Sequence, residues 1–446
     1  MNPISGSILL VLCLTVFCAP RRWALLAMVV GVLYVPQGAA VPIFALNIFS
    51  VRFLEVAGIA RVLARGEFRF SGLNGIDRAL LLFYGYTTAV FLVRSPDGQA
   101  FQIGELVDAY FAYFTFRGLI QDAGDFRFLL RSFVLLLIPY VAIVMVESFK
   151  HRNLFDLLAP LPGGQAFRGS RIRCLGSFRH PSLLGTIGVA FIPLYIGMAF
   201  AAADRVRALL GIVLCLVIVW ASNSGGPLSG VGAGVAAWLC WRWRTKMKWV
   251  RRGIVAMIVM AALLMKAPVW YLLEHLSDIT GGDGFTRAFL LDTMWKHLSV
   301  WWLAGMPITD TGAWFPETIS ATGGADITDQ FVYFGIEAGV GAIALFIVLL
   351  TRAYRSLGKS VAILGAASPA SRESEYFMWG MGCMLTAHVA NWFGITYFDQ
   401  TYMIWFMQLA AISALAQNIQ SSEIPEKEAA RAEEADLREA AAVSAQ

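Results

Sequence analysis

Apolar runs of about 20 residues recur from one end of this chain to the other, the length that crosses a bilayer as helix. That feature removes most folds from consideration. A membrane β-barrel would show shorter segments that alternate apolar and polar residues, and the sequence has none of these. Charged residues make up only 15% of the 446 and hydrophobic residues 58%, whereas soluble domains carry about a quarter charged. The chain reads as an all-α integral membrane protein.

Thirteen spans are expected, at 4–19, 23–40, 44–63, 77–94, 104–120, 129–148, 182–201, 206–222, 225–241, 253–271, 329–351, 376–394 and 400–418. Pro36, Gly38 and Pro42 interrupt the second and third, so that stretch also fits a hairpin or a re-entrant segment. No basic region precedes the first run, and Arg21 and Arg22 follow it, so no cleavable signal peptide is expected. The chain then divides into N-terminal transmembrane helices (1–149), an arginine-rich loop (150–181), central transmembrane helices (182–271), a large loop (272–328), C-terminal transmembrane helices (329–419) and a charged tail (420–446).

Lysine and arginine in short loops set orientation. The loop Trp241–Arg252, WRWRTKMKWVRR, is the most basic and is assigned to the cytoplasm. Counting outward puts Arg21, Arg22, Arg61, Arg65, Arg69, Arg127, Arg131, Arg205, Arg207, Arg352, Arg355 and Lys359 on the same side, with the C-terminus. Both long loops then face outward. The weak point is 225–241, which begins GGPLSGVGAGV. Were it not to cross, the arginine-rich loop would become cytoplasmic.

That loop ends in FRGSRIRCLGSFRHPSLLG, where basic residues should be scarce. Guanidinium forks match phosphate oxygens in pairs, so Arg168, Arg171 and Arg173 are candidates for a phosphate clamp. Anionic lipid headgroups, or plain solvation, are the alternative. His180 is either a proton carrier or simply a polar residue opening the next helix. The second loop contains the aromatic-rich run Phe285–Ala304, expected to be an amphipathic helix lying on the membrane or roofing a cavity. Arg287 stands near its start. Acidic residues follow: Asp310, Glu317, Asp326 and Asp329. Asp326 or Asp329 could serve as general base toward a sugar hydroxyl, and Asp329 equally as a helix cap. Arg52, Arg117 and Glu147 lie at or inside spans, as cavity-lining groups or as ion pairs, Arg52 pairing with Glu55.

No P-loop, no metal-ligand spacing and no nucleophile elbow is present, and the six cysteines form no disulfide framework. No cofactor, metal or nucleic-acid partner is expected.

These stretches resemble the O-antigen ligase and polymerase superfamily, in its exopolysaccharide-polymerase branch. The likeness rests on RGSRIRCLGSFRHPSLLG running into a span, and on SNSGGPLSG where relatives carry a stretch often written S-R-G. It continues with Arg287 followed by WWLAGMP, with TDQFVYFGIEAGVGAIALF like the family's HNxxLxxxxExGxxG helix, and with the closing WFGITYFDQTYMIWFMQLAAI. The resemblance implies a GT-C-like fold in the bacterial inner membrane, acting on the periplasmic face. It implies metal-independent glycosyl transfer from an undecaprenyl-pyrophosphate-linked oligosaccharide, alongside flippase and chain-length-regulator proteins. By matching position, Arg287 becomes a candidate pyrophosphate ligand and Arg168, Arg171 and Arg173, with His180 nearby, candidates in the upstream loop, while the acid/base assignment stays open, Asp329 being the choice. Two departures count against a lipid A-core ligase. Thr328 and Asp329 stand where ligases carry histidine, and Asn223 or Ser224 where they carry arginine. A ligase acting on another lipid or on protein, and a multi-span transporter of a lipid-linked or anionic substrate, are the rival readings.

Overall fold

The computed structural model describes residues 2–444 except 39, 44–45, 161–165, 282, 316–322 and 368. Glu317 lies outside the described residues. The helices, in order, are α1 (Pro3–Cys18), α2 (Arg21–Tyr34), α3 (Ser50–Arg65), α4 (Gly75–Arg94), α5 (Gln99–Leu119), α6 (Ala123–Lys150), α7 (Pro181–Met198) and α8 (Arg205–Ser222). Then come α9 (Gly225–Leu239), α10 (Met247–Leu264), α11 (Leu272–Thr280), α12 (Gly284–Lys296), α13 (Leu298–Trp301), α14 (Gln330–Ala366), α15 (Arg372–Trp392) and α16 (Gln400–Ser444). Two antiparallel hairpins interrupt them: β1 (Ala40–Ile43) with β2 (Leu46–Phe49), and β3 (Ala166–Arg168) with β4 (Arg171–Arg173).

A helix occupies each expected span, but thirteen is too many by length and apolarity. Among the described residues α4, α6, α7, α8 and α14 are long and apolar enough to cross a membrane. A sixth is added if 225–264 and the segment 269–275, bent by 103° from it, count as one span. The physical reasons are local. α1 is apolar but only 16 residues long. α2 stops at Tyr34, ahead of Pro36, and the chain turns through the β1–β2 hairpin before α3. α3 carries Arg52, Glu55 and Arg61, and α5 carries Glu105, Asp108 and Arg117.

α7 is the centre of the bundle. Every residue from Pro181 to Met198 except Ile196 is buried, against α8, α9, α15 and α16. α10 buries none of its residues, the pattern of a helix whose surroundings are lipid rather than protein. At one end of the bundle, arginines close off helix termini. Arg61 donates to the carbonyls of Val16 and Ala19 at 2.9 and 2.5 Å and pairs with Glu67 at 2.8 Å. Arg131 pairs with Asp204 at 2.6 Å, and Arg21 and Arg22 converge on Asp125 at 2.6 and 2.9 Å. The opposite end carries both hairpins and the described residues between 265 and 329. Segment 225–241 does run between the two ends. Gly226, at the start of α9, lies beside Leu273 and Ser277, while Arg244 just past its end pairs with Glu375 at 2.7 Å.

α14 is broken near its start. Ala338 and Gly339 leave helical geometry, Gly339 with φ 77°. The stretch after α13 threads the break: Met306 N donates to Ile336 O, and Val340 N to Trp302 O, both at 2.8 Å. Backbones meet so closely that a Cβ on Gly305 would lie 2.1 Å from Ile336 O. Glycine is the residue that permits both the positive φ and the contact, and the exchanged bonds satisfy Ile336 O and Val340 N at the break.

Candidate functional site

The β3–β4 hairpin is pinned from several directions. Glu147, buried at the end of α6, accepts the amides of Leu175 and Gly176, both at 2.8 Å. Cys174 N donates to Ala221 O at 3.1 Å. Asn223, the left-handed cap of α8, donates its side-chain amide to Arg168 O at 3.3 Å. Arg168 returns a bond to Asn223 O at 3.3 Å and reaches Gly281 O at 2.7 Å.

This frame brings Arg168 and Arg173 toward Arg287 on α12. The Arg173 guanidinium has no hydrogen-bond or ion-pair partner among the described residues, and its Nε is buried and unbonded. Burial, with Arg168 and Arg287 close by, pulls it down to about 10. Arg287 is lowered in the same way, by burial first and then by Arg168, while Asp283 and Asp329 oppose the shift. Its guanidinium lies against two glycines: a Cβ on Gly394 would sit 3.2 Å from Arg287 Cζ, and one on Gly226 3.6 Å from its Nη2. A small cleft lined by Gly226, Ser229, Leu273, Ser277, Arg287 and Gly394 opens there. Three mutually repelling guanidinium groups, all half-buried and none bonded to a carboxylate among the described residues, are arranged to receive an anion with several oxygens.

Two more groups face them. His180 caps α7, its Nδ1 accepting from Ser182 N at 3.2 Å. Burial, then Arg173 and Arg168, push it down to about 4, so it is neutral at pH 7. Asp329, one residue outside the span of α14, is buried. Its Oδ1 accepts from Phe331 N and Val332 N, both at 2.9 Å, while Oδ2 has no partner. Burial pushes it up to about 7, against the two amides and Arg287, which lower it. A carboxyl poised near neutrality with one oxygen unbonded has the attributes of a general base.

The other expected residues are placed elsewhere. Arg171 stacks 4.1 Å over the Trp220 ring and donates to Trp220 O at 2.7 Å. Asp326 is exposed on the loop before α14. Arg52 pairs with Asp108, at 2.8 and 2.9 Å, and not with Glu55, because α5 packs against that face of α3. Arg117 lies buried on Asp77 and Ser413 at 3.3 and 3.1 Å and also bonds Gln417. Glu147 is likewise spent on backbone amides. The run Phe285–Ala304 is not one amphipathic helix, since it divides at His297 into α12 and α13.

Several residues around the site were given no role there from the sequence. Asn223 organises the hairpin, and Ser182 meets Ser224 at 2.7 Å beneath it. Asp399 pairs with Arg179, whose guanidinium lies 5.5 and 5.9 Å from the rings of Phe49 and Phe398. The one usable signal was the run of small residues after Asn223, which marks a close approach. No family model matches the chain, and no curated protein matches it in sequence.

Proposed function

We propose that the chain is a polysaccharide polymerase of the bacterial inner membrane. The donor is a growing glycan on undecaprenyl pyrophosphate, and the acceptor is a hydroxyl of the next lipid-linked repeat unit. The observation that carries this reading is the cluster of Arg168, Arg173 and Arg287 beside a buried Asp329 with one free oxygen. The arginines hold the pyrophosphate and stabilise the charge it gains as a leaving group. The bond from the anomeric carbon to the phosphate oxygen breaks as the acceptor oxygen bonds that carbon, and Asp329 takes the acceptor's proton. In this reading the apolar helices lie in the bilayer in a GT-C-like arrangement. The arginine-closed end is cytoplasmic with the C-terminus, and the hairpin end is periplasmic. No nucleotide is required, because the donor arrives activated.

A knockout in the native host tests this. Single lipid-linked repeat units should accumulate and long polymer should vanish. Long polymer that stays lipid-linked would make the protein a ligase, and unchanged glycans would leave the transporter.

A further inference from the structure

A second charged cluster forms at the same end, about one to two turns further along α14 than Asp329. It collects Arg52 and Glu55 from α3, Arg94 from the last turn of α4, Glu105 and Asp108 from α5, and Tyr333 and Glu337 from α14. Its rim is partly open: the side chains of Arg52 and Asp108, paired at 2.8 Å, are 29% and 26% exposed. Tyr333 donates to Glu105 at 3.0 Å. Gly104 makes room for the rim, since a Cβ there would lie 2.5 Å from Arg52 Nη2.

The floor is different. Glu55 and Glu337 are only 2% and 6% exposed. One oxygen of each is buried without a hydrogen-bond partner, and so is Arg94 Nε. Glu337 faces Arg94 and Tyr333, so its free oxygen belongs to this cluster. A buried acceptor and a buried donor left open side by side, on Glu337 and Arg94, call for a ligand that both donates and accepts hydrogen bonds. A fully ionised anion accepts hydrogen bonds but donates none to the open glutamate oxygen. Among the described residues no set of acidic, histidine or cysteine side chains converges as metal ligands would. A polyhydroxylated molecule meets both requirements.

The position also fits. Asp329, Tyr333 and Glu337 follow one another at intervals of four along one face of α14. At 1.5 Å per residue, Glu337 stands about 12 Å along the helix from Asp329. Gln330, next to Asp329, touches Tyr402, which in turn faces Glu105 and Glu337.

We propose that this cluster is a saccharide-binding subsite, with Glu105, Glu337, Tyr333 and Arg94 bonding the hydroxyls of the acceptor glycan that meets Asp329. The designation as acceptor rests on the polymerase reading; the saccharide chemistry does not.

The test uses full-length protein in detergent and two probes: the repeat-unit oligosaccharide released by mild acid from the host's lipid-linked precursor, and undecaprenyl pyrophosphate. Glu105→Gln and Glu337→Gln should each weaken oligosaccharide binding by about tenfold or more, the loss of a charge-assisted hydrogen bond, and leave pyrophosphate binding within about twofold. Arg287→Ala should do the reverse. Tyr333→Phe removes the hydroxyl and keeps the ring, and serves if either glutamine variant fails to fold. Wild-type oligosaccharide affinity in the folded variants, or no oligosaccharide binding by the wild type, would overturn the proposal. Glu337-dependent oligosaccharide binding without any pyrophosphate binding would uphold this subsite while removing the pyrophosphate clamp.

Discussion

Arg168 and Asn223 bond each other twice, guanidinium to carbonyl and amide to carbonyl, each at 3.3 Å. The exchange fastens the β3–β4 hairpin to the turn between α8 and α9. It holds one cation of the candidate site at a fixed distance from the bundle.

Asn223 sits at φ 46°, ψ 45°, a conformation that glycine adopts freely and a Cβ-bearing residue resists by about 1–2 kcal/mol. Asn223→Gly therefore loses only the side-chain amide, and Asn223→Ala loses the amide and adds strain. Thermal unfolding in detergent should rank wild type above the glycine variant and the glycine variant above the alanine variant. An alanine variant at least as stable as the glycine variant would show that the amide and the left-handed turn do not hold this hairpin.

Arg287 is expected to be indispensable. Arg287→Ala should cut polymer formation by about 100-fold or more, as removal of one preorganised charge stabiliser does elsewhere, with normal protein levels. Arg287→Lys should recover little, because a single ammonium cannot make the paired contact of a guanidinium. Polymer of wild-type length from the alanine variant would remove this arginine from the site.

Much of the architecture was readable from apolar periodicity, because lipid exposure demands long apolar segments wherever the chain crosses. Periodicity could not show where α3 and α5 give up apolarity to charge, since Arg52 and Asp108 neutralise each other only once those helices pack. The clustering of Arg168, Arg173 and Arg287 was foreshadowed by basic residues in loops expected to face outward. The sorting of Arg171 onto Trp220 and of Glu147 onto backbone amides was not, because both depend on a hairpin built by residues far apart in sequence. The break at Gly339 was hidden for the same reason: its freed backbone groups are satisfied by Trp302 and Met306.

Asp329 allows capping and chemistry to be separated. Asparagine caps as well as aspartate, so Asp329→Asn should fold normally and make no polymer, while Asp329→Ala should also lose about 0.5–2 kcal/mol. The pH dependences have opposite signs. The base form appears as pH rises through about 7, so activity should rise there. Between the usual carboxylate range and about 7 the folded protein keeps a proton that the unfolded chain has released. The stability Asp329 contributes is therefore present in acid and lost as pH rises through about 7. Melting temperatures across that window should fall in the wild type more than in Asp329→Asn; parallel curves would place the titration elsewhere.

Glu147 should behave as a structural anchor. Glu147→Ala strands the buried amides of Leu175 and Gly176, and each stranded group costs about 1–3 kcal/mol. Limited proteolysis should then cut within 166–173, where the wild type resists. An uncut hairpin in the folded variant would mean that Asn223 and the Cys174–Ala221 bond suffice.

Arg117 provides the control at the far end of the bundle. It is buried on Asp77, which also accepts from Tyr113 at 2.5 Å and from Ser413 at 2.9 Å. Removing one member of a buried pair leaves the other uncompensated, at about 3–5 kcal/mol, so Arg117→Ala should be strongly destabilised. Asp77→Asn in the same chain removes the stranded charge and should restore part of that loss. Because the pair contacts none of the arginines near Arg287, whatever folded protein survives should bind undecaprenyl pyrophosphate with wild-type affinity. A weakened affinity in the stabilised double variant would mean that the two ends of the bundle are energetically coupled, and that Arg117 acts on the site through the helices rather than only supporting them.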